Sequence, residues 1–93
     1  MELHRLRYFV AVAESGGFSK AARRCYVAQP SLSQQIIKLE QELGQRLFER
    51  LGRNVALTES GRALLPRARL VLMEAEGIKS GIIEDVDAGV GVL

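Results

Sequence analysis

Residues 26–44 read YVAQPSLSQQIIKLEQELG. Leu32, Ile36, Leu39 and Leu43 recur at spacings of 4, 3 and 4, one stripe of an α-helix that must be buried against a neighbour. Pro30 suits a first helical position, where its missing N–H is not needed, and Gly44 is a natural C-terminal stop. The spacing therefore predicts a helix over about 30–43. Its opposite face carries Pro30, Gln34, Lys38 and Gln41, flanked by Ser31 and Ser33. No carboxylate occurs anywhere between Glu14 and Glu40. An acid-free outer face on a helix with a buried stripe suits a negatively charged partner.

Upstream, LHRLRYFVAVAES places Leu3, Leu6, Val10 and Ala13 on one stripe, widened by Phe9, and Gly16-Gly17 should end that helix near Ser15. A short second helix is expected from about Phe18 to Cys25, with Ala21, Ala22 and Cys25 inward, and a turn at 26–29. Downstream of Gly44 the period changes. RLFERLGRNVALT predicts two short strands, about 47–50 and 55–57, joined by a Gly- and Asn-containing turn over 51–54. Thr58 can cap a fourth helix, in which Leu64, Ala68, Val71, Ala75, Ile78 and Ile82 recur with the mean spacing of a coiled-coil seam. Pro66 should kink that helix, Gly77 and Gly81 weaken its far end, and DVDAGVGVL carries no helical pattern.

The chain has 93 residues, enough for one small domain whose modest core makes a partner chain or a longer parent protein plausible. One Cys excludes an intrachain disulfide. Charged residues interrupt the first thirteen positions, so no signal peptide is read, and no apolar run reaches a membrane span; a cytoplasmic location is expected. Residues 1–73 hold twelve Lys/Arg against six Asp/Glu, whereas residues 74–93 hold one against five. A basic body with an acidic tail points to a polyanionic partner for the body, although a solvated surface with a chance excess of cations has the same composition.

Three short helices followed by a two-stranded hairpin is the order of a winged helix-turn-helix, mainly α in class, with the helix-turn-helix itself at 18–37 and the wing at 47–57. In that arrangement the helix beginning near Pro30 enters the DNA major groove by its N-terminal end, and acid is missing where the phosphates would lie. Gln29 and Gln34 are the leading base-contact candidates, because an amide can donate to and accept from adenine together. Ser31 and Ser33 suit phosphate or base edges, Lys38 suits phosphate, and Ser19 is a plausible phosphate contact from the second helix. Arg53 on the hairpin turn, with Arg50 at its edge, either enters the narrow minor groove or stays solvated. Phe48 beside Leu47 in the hairpin and Tyr26 at the helix-helix turn read as structural rather than base-stacking aromatics. Ile37, near the outer face, either touches a thymine methyl or, as the preferred reading, packs against a neighbouring helix.

The run from LRYFVAVAES through FSKAA, QPSLS, LEQELG, LFER and LTESG resembles the N-terminal domain of LysR-type transcriptional regulators, over Leu3 to about Ile82. The resemblance implies a bacterial winged helix-turn-helix over 1–58, a linker helix over 59–85 that pairs antiparallel with a second copy, and a hinge over 86–93. It implies sequence-specific binding of double-stranded DNA by a dimer on an interrupted inverted repeat, and a separate domain that senses a small-molecule effector. A tetramer and contact with RNA polymerase are further family possibilities. It assigns DNA contact to Gln29, Pro30, Ser33, residue 34 and Arg53, and no cofactor to this segment. Gly17 and Ala28 stand where the family often has a capping Ser, and Ser31 and Gln34 where it often has Ala or Pro and Arg.

Two other function classes fit the sequence less well. A protein-docking module would have no need to exclude carboxylates, and its affinity for DNA would lack the steep salt dependence of phosphate neutralisation. Catalysis or metal binding has little to stand on: Cys25 is the only thiol and reads as a small core residue, and His4 is the only imidazole and reads as solvated.

Overall fold

The computed structural model describes residues 1–87, with side chains as far as Gly81. Its elements are α1 (Leu3–Ser15), α2 (Phe18–Arg24), α3 (Gln29–Leu43), β1 (Phe48–Leu51), β2 (Asn54–Leu57) and α4 (Glu59–Asp87). Helix α1 lies at the centre, packed on α2, α3 and α4. The core joins Leu6, Phe9 and Val12 of α1 to Leu32, Ile36 and Leu39 of α3, with Ala21 and Ala22 of α2 beneath and Leu47, Phe48 and Ala68 closing it. Each large apolar side chain buried this way contributes about 1.5–3 kcal/mol relative to exposure. The stripe read on α3 is the one buried, with Leu43 packed at its margin.

The stripe on α1 is rotated from the expected one. Phe9 and Val12 are its fully buried centre, whereas Leu3 is 41% exposed and Val10 and Ala13 are only partly covered. The cause is an aromatic cluster: Phe9 packs on Phe48 at 5.3 Å between ring centroids, and Phe48 and Phe18 meet in a T-shaped pair at 5.7 Å. His4 is not solvated. It is half-buried, its Nε2 lies 3.2 Å from Gln35 Oε1, and its ring meets the edge of Tyr8.

The termini of the helices follow from local chemistry. Gly16 and Gly44 adopt left-handed φ values of 75° and 69° and end α1 and α3. Helix α2 stops one residue before the expected Cys25, in a Schellman turn: Tyr26 N–H donates to the Arg23 carbonyl at 3.2 Å and Val27 N–H to the Ala22 carbonyl at 3.0 Å. Tyr26 occupies the left-handed position, at φ 58°. Tyr26 thus stands at the turn as expected, but it acts through its backbone: its ring is 94% exposed and lies in solvent.

Helix α3 begins at Gln29, which puts Pro30 at its second position rather than its first. The strands pair antiparallel from Phe48 opposite Leu57 to Leu51 opposite Asn54, one residue displaced from the expected spans. A two-residue loop closes the hairpin, and Gly52 takes φ 63° there, as the primed turns of tight hairpins require.

Thr58 caps α4 by accepting the Gly61 N–H at 3.0 Å, while its hydroxyl donates to the Arg46 carbonyl at 2.6 Å and its N–H to the Leu47 carbonyl at 3.0 Å. The capping residue thus also ties α4 to the start of β1. Helix α4 then runs unbroken through Pro66, Gly77 and Gly81 to Asp87, giving a molecule 54 Å long. Of the hinge expected over 86–93, residues 86 and 87 belong instead to α4, and those from 88 onward lie outside the described residues. Three helices and a hairpin, with α4 appended, form a winged helix-turn-helix.

Candidate nucleic-acid interface

The Schellman turn after α2 sends the chain out of the core and back into α3, so the first turn of α3 projects from the body. Gln29, Pro30, Ser31, Gln34 and Lys38 are exposed and Ser33 is half-buried. Gln29 Nε2 donates to Ser33 Oγ at 3.2 Å, which links the two side chains across one turn. Ala28, at the N-cap, offers no side-chain acceptor, and no acid occupies the first turn. The leading N–H groups of α3 are thus left without a side-chain cap, at the positive end of the helix.

The wing is brought alongside. Ser33, Ile37 and Gln41 of α3 and Phe18, Phe48 and Arg50 border one open groove of about 590 Å³. Arg50 and Arg53 are both exposed, Arg53 in the loop of the hairpin. Ile37 is exposed and lies on the groove wall, so it does not pack against a neighbouring helix as expected. Ser19 is exposed at the second position of α2.

The carboxylates that flank this face are compensated. Glu14 accepts from Arg24 Nη2 at 2.7 Å and from Arg69 Nη2 at 3.2 Å. The Arg24 hydrogen bond, against an opposing desolvation penalty and with help from Arg69, holds the Glu14 carboxyl below its ordinary value. Glu40 turns inward and accepts the Leu47 N–H at 2.8 Å, with Arg46 Nε at 3.9 Å. Glu42 meets the Met1 amino group at 2.9 Å and Arg5 at 3.6 Å. Arg24 is thereby engaged within the chain, which leaves Lys20 and Arg23 as the exposed cations of α2 without an ion pair among the described residues.

The residues expected in a dimer seam divide. Ala68 is 1% exposed, sealed within the chain, and Leu64 and Ala75 are partly covered. Ala68 is therefore corrected from a seam residue to a core residue, because α4 packs along α1 through that face. Val71 and Ile78 remain 44% and 62% exposed, beside Leu70 and Met73. The Ile82 side chain lies outside the described residues.

Sequence reasoning missed three contributors. Gln35, which no pattern singled out, accepts from Arg5 Nε at 2.9 Å and fixes α1 to α3. Glu14 gathers α1, α2 and α4 through its two arginines. Phe18, read as a helix start, lies under the Arg50 guanidinium, 4.9 Å from ring centroid to Cζ. All three are long-range pairings with no local periodic signal. Among the described residues, no group of three or more His, Cys, Asp or Glu could hold a metal ion, and no helix is long and apolar enough to cross a membrane.

The model of the family described as bacterial regulatory helix-turn-helix protein, lysR family, matches residues 3–62. An HTH-type transcriptional regulator in the ibpB–leuC intergenic region of Azotobacter vinelandii is 51% identical over 82 residues, covering 88% of this chain and 57% of the relative. The HTH-type transcriptional regulator BudR of Klebsiella aerogenes is 44% identical, over 97% of this chain and 68% of the relative. The DNA-binding transcriptional dual regulator OxyR of Escherichia coli is 48% identical, over 85% and 26%. The chain thus spans from about a quarter to about two thirds of the length of these relatives. Among solved structures, the CbnR DNA-binding domain in complex with DNA superposes with a TM-score of 0.83 at 42% identity, covering 95% of this chain and 99% of that one. The BenM DNA-binding domain bound to a catB site superposes with a TM-score of 0.89 at 43% identity, over 92% and 96%.

Proposed function

The chain belongs to the lysR family of bacterial regulatory helix-turn-helix proteins, whose matched relatives are transcriptional regulators and not enzymes, and from that membership we propose that it binds duplex DNA sequence-specifically, as a dimer on an interrupted inverted repeat. The observation that carries the reading is the first turn of α3: exposed, free of acid, without a side-chain cap and bordered by the wing across one groove. The DNA complexes among the similar solved structures support it.

On this reading the tip of α3 enters the major groove. Gln29 and Gln34 meet base edges, held in register by Ser33, Pro30 and Ser31. Ser19 and Lys38 meet phosphate, Arg50 lies near the backbone, and Arg53 reaches the minor groove. Two copies pair through α4, using Val71 and Ile78 with Ala75, Leu64 and Ile82 at the margins. A tetramer of two such dimers, and contact with RNA polymerase, extend the reading to the full length of the relatives. So does a small-molecule effector, acting through a domain outside these residues. The protein then works in the cytoplasm, where a bacterial chromosome lies.

Binding to a library of random duplexes tests the reading. The chain should select a sequence with two related half-sites, and log K for the selected duplex should fall linearly with log salt at roughly 0.9 per phosphate neutralised. Absence of any duplex binding at low salt would refute it.

A further inference from the structure

The groove between α3 and β1 has a shape whose use follows from duplex geometry. A sugar–phosphate ridge separates the major groove from the minor groove. A body that puts the tip of α3 in one and Arg53 in the other must straddle that ridge, and the surface between α3 and β1 is the saddle. Its walls are Ser33, Ile37 and Gln41 on one side and Phe18, Phe48 and Arg50 on the other.

Strand alternation puts Phe48 and Arg50 on one face of β1, with Glu49 on the opposite face. Phe48 is buried and turns its ring to Phe18, whose ring underlies the Arg50 guanidinium. Arg50 makes no ion pair among the described residues, and the one carboxylate on the groove wall, Glu40, accepts the Leu47 N–H instead. A stacked guanidinium is held at its face while its in-plane N–H donors stay free, the arrangement suited to a phosphate.

We propose that Phe18 and Arg50 form a pre-stacked phosphate clamp at this saddle: Arg50 is the phosphate ligand and Phe18 the positioning residue that holds it across the gap between α2 and the wing. The clamp rests on the DNA-binding reading, which puts Arg50 near the backbone, and adds to it the aromatic platform, itself uncharged, that holds Arg50 for the ridge.

The test is a double-mutant cycle on binding to a random-sequence duplex, read by fluorescence anisotropy across a salt series. Arg50→Ala should weaken binding about tenfold and lower the salt slope by about 0.9. Phe18→Leu should weaken it about two- to fivefold, and Phe18→Tyr, which keeps the ring, should not. In the Arg50→Ala background, Phe18→Leu should have no further effect on affinity. Phe18 also packs on Phe48, so thermal melts are recorded for every variant; a general loss of fold would weaken binding in both backgrounds alike, and that outcome overturns the clamp. An unchanged salt slope in Arg50→Ala, with the parent chain still binding, overturns it too while leaving the DNA reading intact. Failure of the parent chain to bind removes both.

Discussion

The α-carbon of Gly61 stands so close to Leu47 that a β-carbon there would lie 2.3 Å from the Leu47 carbonyl oxygen and 2.8 Å from Leu57 Cδ2. The first contact is with backbone, which cannot rotate away. Only glycine lets the first turn of α4 lie against the base of the wing, where Thr58 has already tied the two together. Gly61→Ala should therefore destabilise the fold by about 1–3 kcal/mol, although alanine is the better helix former. Urea unfolding checks it; an equal or higher midpoint would mean the close approach relaxes without loss.

Tyr26 gives the opposite case. A tyrosine in the left-handed region is strained by roughly 1–2 kcal/mol, and its exposed ring recovers nothing from packing within the chain. Tyr26→Gly should raise stability by about 0.5–1 kcal/mol, the strain relieved exceeding the entropy that glycine adds to the unfolded chain. A lowered melting temperature would show that the ring has contacts that stabilise the turn.

Glu14 sets an acid limit. Its carboxyl is held below the ordinary value of 4.5 in the folded chain, first by Arg24. A depressed carboxylate contributes stability that is fully present above the unfolded value and is lost as pH falls through the folded one. Stability should fall as pH drops below the ordinary carboxylate value of 4.5, and Glu14→Gln should flatten part of that fall while lowering stability at neutral pH. Parallel urea midpoints for the two proteins at neutral pH and below that value decide it. Identical pH profiles would remove Glu14 as the junction of α1, α2 and α4.

Val71 and Ala68 sit three residues apart on α4 with different environments. If two copies pair as proposed, Val71→Asp should leave the fold intact and halve the mass seen by sedimentation, because the side chain is exposed on the single chain. Ala68→Asp should unfold the chain, because a carboxylate would be placed in the core. A dimer unchanged by Val71→Asp would move the pairing surface elsewhere.

Legibility in the sequence followed the range of the signal. The α3 stripe, the glycine stops, the hairpin and the Thr58 cap were readable because each is a local pattern of a few residues. The centre of the α1 face was not, because Leu3 and Val10 fit the period as well as Phe9 and Val12 do, and the choice is made by Phe48 in a distant strand. Ala68 fits the α4 seam for a related reason: one helix carries two apolar faces, and spacing alone does not say which of them packs on α1. The exposed residues at the tip of α3 were found by elimination of the buried stripe, whereas the Phe18–Arg50 stack joins residues 32 apart and left no trace in the pattern.

Dimethyl sulfate interference on the selected duplex probes the central claim in a single experiment, since it methylates guanine N7 in the major groove and adenine N3 in the minor groove. Insertion of α3 predicts that N7 methylation blocks binding in two clusters whose centres lie about 10.5 bp, or a multiple, apart. It also predicts that N3 methylation interferes only at the flanks that Arg53 would reach. Binding that tolerates N7 methylation throughout the protected region would show that the tip of α3 does not enter the major groove.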